Sequence, residues 1–170
     1  MKKYKVNITS ISSNEIIKPE ELLIPLTAFV NIVDYLENFD KNAGKLKDKN
    51  EKEISEDYYK NLYHSMVYVK KKNDGDYVQI VKISHNSPFW MELFLQTDPI
   101  VFEIIKALVK EVIVKSPIVE AKLKSLLKKF PGYNNLSEEK QNIIAKDILK
   151  IISLILSFIK IDIGSEQNNK

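Results

Sequence analysis

The chain has 170 residues, 44% of them hydrophobic, a net charge of +3 and no cysteine. That length and apolar content suit one folded core and exclude general disorder, and the lack of cysteine excludes disulfides, thiolate metal sites and cysteine nucleophiles. All 26 basic residues are lysine; without the planar, bidentate fork of arginine, sequence-specific DNA readout is disfavoured, although lysine still attracts phosphate as a point charge.

Residues Lys3–Thr9 set Tyr4, Val6 and Ile8 against Lys3, Lys5 and Asn7. This period of two predicts a half-buried strand. The stretch from Met1 to Thr9 has no apolar run of signal-peptide length, which fits a cytoplasmic protein. A polar turn follows, and Glu15–Lys18 reads as a short return strand. Pro25 stands where a helix can begin, with Leu26, Phe29, Val30, Val33, Tyr35 and Leu36 on its apolar face. That helix fades near Ala43-Gly44. Residues 41–56 are rich in lysine and glutamate and read as a charged loop or a frayed helix end.

Asp74-Gly75 lies between Tyr63–Lys72 and Tyr77–Ser84, two segments rich in β-branched and aromatic residues. Asp-Gly in a two-residue loop favours a hairpin turn in which both positions need φ > 0. Residues His85 to Pro88 make a second turn. In Phe89–Leu95, Phe89, Met91, Leu93 and Leu95 then alternate with Trp90, Glu92 and Phe94. With the N-terminal strand, this meander predicts a small antiparallel sheet of about four strands. The second half, residues 97–163, is helical. Thr97-Asp98-Pro99 is a cap followed by proline at the first helical position. Ser116-Pro117 opens a second helix, Pro131-Gly132 ends it, and Leu136 to Glu139 opens a third that runs to about Ile161. Residues 164–170 form a polar, mobile tail. The expected fold is therefore α+β, a single domain over residues 1–163: the sheet, one helix from the N-terminal half and a C-terminal layer of three helices. The most apolar run, Ile151–Ile159, spans roughly 13 Å as a helix, too short to cross a bilayer.

Motifs are sparse. The glycines, at 44, 75, 132 and 164, build no phosphate-cradling loop or dinucleotide fingerprint. Ser87 lacks the flanking glycines of a nucleophile elbow. No catalytic residue, cofactor or metal is expected. Three constellations remain. If Asp74 and Gly75 are the central turn residues, Tyr68 faces Val81 and His64 faces His85, bringing the only two histidines about 4.5–5.5 Å apart at Cβ, close enough to share a proton or a metal. The competing reading ends the hairpin before that rung or makes Tyr58–Met66 helical.

The second constellation is aromatic and basic. Tyr68, Tyr77 and Trp90, with Lys70 beside them, are candidates for stacking a small ligand or nucleotide. Against this, strands are commonly aromatic-rich. The third is apolar girth. Val101, Ile105, Leu108 and Val112 form one helical stripe, and Phe102, Val109 and Ile113 lie on another side. Leu149 and Leu156 stand similarly apart from Ile144, Ile148, Ile151 and Ile155. A helix apolar around most of its girth needs cover on more than one side, from neighbouring helices or from another subunit. The function expected from this is a non-enzymatic interaction protein that binds itself and a partner protein, with Phe102, Val109, Ile113, Leu149 and Leu156 at the interface. The alternative is a small-ligand or nucleotide-binding protein using the hairpin. The Lys-, Ile- and Asn-rich composition fits an AT-rich phage or mobile-element genome.

Overall fold

The computed structural model describes residues 2–11, 19–50, 52–54, 78–84, 90–112 and 118–166. Strands β1 (Lys2–Ser10), β2 (Val78–Ser84), β3 (Trp90–Thr97) and β4 (Ile159–Glu166) form one sheet in the order β2-β3-β1-β4. Every neighbouring pair is antiparallel. The fold is α+β, as expected. Its strand order and directions, with helices after β1 and after β3, are those of the ferredoxin-like split β-α-β arrangement.

The alternation read from the sequence decides which face is covered. Tyr4, Val6 and Ile8 on β1, Met91, Leu93 and Leu95 on β3, and Ile159 and Ile161 on β4 are buried. Their alternates Lys3, Lys5, Asn7, Trp90, Glu92 and Phe94 are half-buried on the opposite face. The helices lie against the apolar face. They are α1 (Pro19–Glu37), α2 (Phe39–Leu46), α3 (Pro99–Val112), α4 (Ile118–Leu127), α5 (Pro131–Asn134) and α6 (Glu138–Phe158). Phe102 of α3 stacks on Tyr4 of β1, with ring centroids 3.5 Å apart and planes at 6°.

Several boundaries differ from expectation. The first helix begins at Pro19, and Pro25 lies inside it. Proline is tolerated in the first turn; at Pro25 the helix continues although that residue has no N–H to donate. Residues 41–56 contain ordered structure. Phe39, Ala43 and Leu46 bury one face of α2. Asn50 and Glu53 then make a reciprocal cap, each backbone N–H donating to the other's side chain at 2.9 Å. This cap starts a helical turn that buries Ile54. At the other end of the chain, α6 stops at Phe158, and Ile159 is already extended. Residues 164–166, expected as tail, belong to β4. The strand signal is Ile159, Ile161 and Ile163 alternating with Lys160 and Asp162. It was hidden by the apolar helix running into it. The proposed return strand at 15–18 and the Asp74-Gly75 turn lie outside the described residues.

The cap before α3 is as expected, with the Ile100 N–H donating to Asp98 Oδ1 at 2.8 Å. The N- and C-terminal halves lock together at a second corner. Phe39 is packed by Tyr35, Phe130 and Tyr133, with centroids 5.7, 4.9 and 6.0 Å away. The Gly132 N–H donates to Asp40 Oδ1 at 2.7 Å. Lys140 Nζ donates to the carbonyls of Leu46 and Lys47, capping the end of α2 with a cation. Buried Tyr133 donates its hydroxyl to the Gln141 carbonyl at 3.0 Å. Burial, helped by the charge of Glu120, pushes that phenol up to about 12.

Candidate interaction surfaces

Among the described residues, this packing leaves two surfaces that bear on function. The first is the open face of the sheet. Lys3 Nζ lies 4.1 Å from the Phe94 ring centroid and Lys82 Nζ lies 5.3 Å from that of Trp90. Between them Lys5 and Glu92 form an ion pair at 2.6 Å. The register explains the set, since Lys82 and Asn7 both flank Glu92 while Lys5 is opposite Phe94. On β2, Val81 is an extra residue between the Ile80–Leu93 and Lys82–Glu92 pairs. This bulge keeps Ile80 and Ile83 on the core-side rows and Lys82 on the open face.

The second surface lies where β1 ends and β4 begins. The Ile11 N–H donates to the Phe158 carbonyl at 3.3 Å, and both side chains are exposed, Phe158 by 46%. Leu154, one turn earlier on α6, is exposed as well. The far end of α1 is tied to the opposite end of β1. Glu37 at its far end accepts from the Asp98 N–H at 2.7 Å, and Asp98 follows Thr97, the partner of Lys2. In the first turns of α1, Leu23 and Ile24 are exposed.

The site residues expected from the sequence divide three ways. His64, Tyr68, Lys70, Tyr77, His85 and Ile113 lie outside the described residues. Trp90 is on the open sheet face, beneath Lys82. Phe102 and Val109, expected at an interface, are corrected: they are 8% and 5% exposed. The reason is that α3 packs against the sheet, α1, α4 and α6 together, so helices of this chain cover its second stripe. Leu149 and Leu156 are half-buried and rest against the same core. Of the exposed apolar residues, Ile11, Leu154 and Phe158 flank the α6–β4 junction, Ile80, Val81 and Ile83 lie on β2, Leu23 and Ile24 on α1, and Ile118 begins α4. Unrecognised as a junction, the α6–β4 boundary could not be read as a surface.

Among the described residues, two carboxylates are perturbed. Asp147, 6% exposed on α6, is raised above the usual range by burial, which Lys150 partly offsets. Its Oδ2 has no hydrogen-bond partner. Glu37 is raised by burial, against the opposing effect of the Asp98 N–H. Among the described residues, no three acidic or histidine side chains gather to hold a metal ion, and no helix is long and apolar enough to cross a membrane. Comparison with protein-family models, curated proteins and solved structures finds no match for this chain.

Proposed function

We propose that this chain is a non-enzymatic interaction protein that acts by binding itself and a partner protein. The observation supporting this is the gathering of exposed Ile11, Leu154 and Phe158 around the α6–β4 junction, with Leu23 and Ile24 exposed on α1. Exposed apolar side chains scattered singly are ordinary; several collected at one end mark a contact surface. Self-association uses the junction, leaving the start of α1 for a partner protein. Sedimentation velocity over a concentration series tests it. The wild type should assemble as concentration rises, and Phe158→Lys should weaken assembly while circular dichroism stays unchanged. Leu154→Lys serves as a second variant should the first unfold. A wild type that stays monomeric at every concentration overturns the proposal.

A second reading is a small-ligand or nucleotide-binding protein. The support for it is the open sheet face, where Trp90 and Phe94 each lie under a lysine ammonium. Rings beside cations suit a ligand with both a stackable ring and a phosphate.

A further inference from the structure

We propose that two copies of this chain join through β4, edge to edge and antiparallel, about a two-fold axis at Ile161, so that the two sheets become one. The proposal rests on the self-association reading above and gives it a geometry.

Among the described residues β4 is a sheet edge, paired only with β1. The Ile11–Phe158 bond fixes which of its backbone groups are engaged. Bonded residues alternate along an antiparallel ladder, and Thr9 is opposite Lys160 while Asn7 is opposite Asp162. Phe158, Lys160 and Asp162 therefore turn their backbone groups toward β1. Ile159, Ile161 and Ile163 turn theirs toward the far edge. The Ile159 N–H is already committed to the Ile155 carbonyl at the end of α6. The edge thus offers the carbonyl of Ile159 and both groups of Ile161 and Ile163.

An antiparallel second copy centred on Ile161 fits this set. Ile161 exchanges both bonds with the partner's Ile161. The Ile163 N–H donates to the carbonyl of the partner's Ile159, and the reverse bond is made by symmetry. On the core side this register sets isoleucine against isoleucine. On the open side it sets Lys160 opposite the partner's Asp162, twice. Lys160 and Asp162 are 61% and 54% exposed, respectively, and 3.3 Å apart within one chain. The register ends at Ile163, since the pairing of β4 with β1 shifts by one residue between Ile163 and Glu166.

Charge selects this register over its neighbours. A shift of the axis by one residue sets Lys160 against the partner's Lys160, or Asp162 against the partner's Asp162. Like charges directly opposite are destabilising where opposite charges stabilise. An antiparallel pairing that joined buried rows to open rows would break the continuity of both faces.

The test uses charge reversal and repair on the whole chain. Sedimentation equilibrium should show a dimer whose dissociation constant rises at least about tenfold in Lys160→Asp and in Asp162→Lys, because two attractive pairs become two repulsive ones. The double variant carrying both changes should return to the wild-type value. Hydrogen exchange should slow at the Ile161 and Ile163 amides as protein concentration rises. Dimerisation indifferent to the charge changes, or exchange at these amides indifferent to concentration, overturns the β4 contact while leaving self-association standing. A wild type that never dimerises overturns both.

Discussion

Replacing Asp147 with asparagine should stabilise this protein, and only at the pH where the carboxylate is charged. Asp147 faces inward from α6 among Ile144, Ile148 and Ile151. Its Oδ2 has no hydrogen-bond partner. Its Oδ1 lies 3.6 Å from Lys150 Nζ, a side chain 60% exposed. An unsatisfied buried polar atom costs about 1–3 kcal/mol, more when charged. A solvent-screened ion pair returns at most about 1 kcal/mol. Asparagine keeps the shape, removes the charge and gives up the pair, so the net gain is about 1 kcal/mol at pH 7. The sign with pH follows from burial. The folded-state pKa lies above the ordinary aspartate value of 3.8, so the wild type gains stability relative to its unfolded chain as pH falls through the folded-state pKa. The gap between variant and wild type should be widest at neutral pH and close towards the unfolded value. Urea titrations followed by circular dichroism at several pH values between these limits measure it. A variant less stable than wild type at pH 7, or a gap that does not change with pH, would refute the reasoning.

Two further outcomes are expected. Gly132→Ala should cost about 1–3 kcal/mol in urea unfolding by overpacking, because its Cβ would fall 2.8 Å from Asp40 Oδ1 and 3.0 Å from the Ala43 Cβ and the Asp40 Cα; an unchanged midpoint would mean that α5 does not sit on α2 in this way. Trp90 is the only tryptophan, so titration with ATP should quench its emission saturably if the sheet face binds nucleotides, and Phe94→Ala should weaken that binding about 5-fold or more; no quenching would remove the second functional reading.

What could be read from the sequence depended on whether one local period ruled a segment. Tyr4, Val6 and Ile8 alternate without interruption, as do Met91, Leu93 and Leu95, and both segments are strands with the expected faces. Asp98 followed by Pro99 marks a helix start by local chemistry alone. The α6–β4 boundary was harder because isoleucine serves both elements and neither glycine nor proline separates them. The clue was Lys160 and Asp162 two apart, a strand spacing at the end of a helical pattern. In α2, lysines on the open side outweighed Phe39, Ala43 and Leu46, although their spacing is helical. The interface assigned to Phe102 and Val109 failed for a different reason. Periodicity shows how many sides of a helix need cover but not what supplies it. Three other helices and the sheet cover α3, and that is a property of tertiary arrangement. The exposed junction at Ile11 and Phe158 brings together two residues far apart in the chain, which no local pattern could pair.

The placement of β1 has a kinetic consequence. It lies inside the sheet, yet both of its neighbours come from far along the chain, Thr9 being paired with Trp90 on one side and Lys160 on the other. Contacts of such long range make folding slow, since the intervening chain must be ordered before they form. During synthesis, the apolar row of Tyr4, Val6 and Ile8 emerges before either neighbouring strand and waits for β3, and its second edge stays open until β4 has left the ribosome. The helices made in the interval can collapse against a half-built sheet, but they cannot close it. Late completion would put the commitment step of folding at the docking of β4, so destabilising changes in Ile159 or Ile161 should slow refolding more than comparable changes in α4.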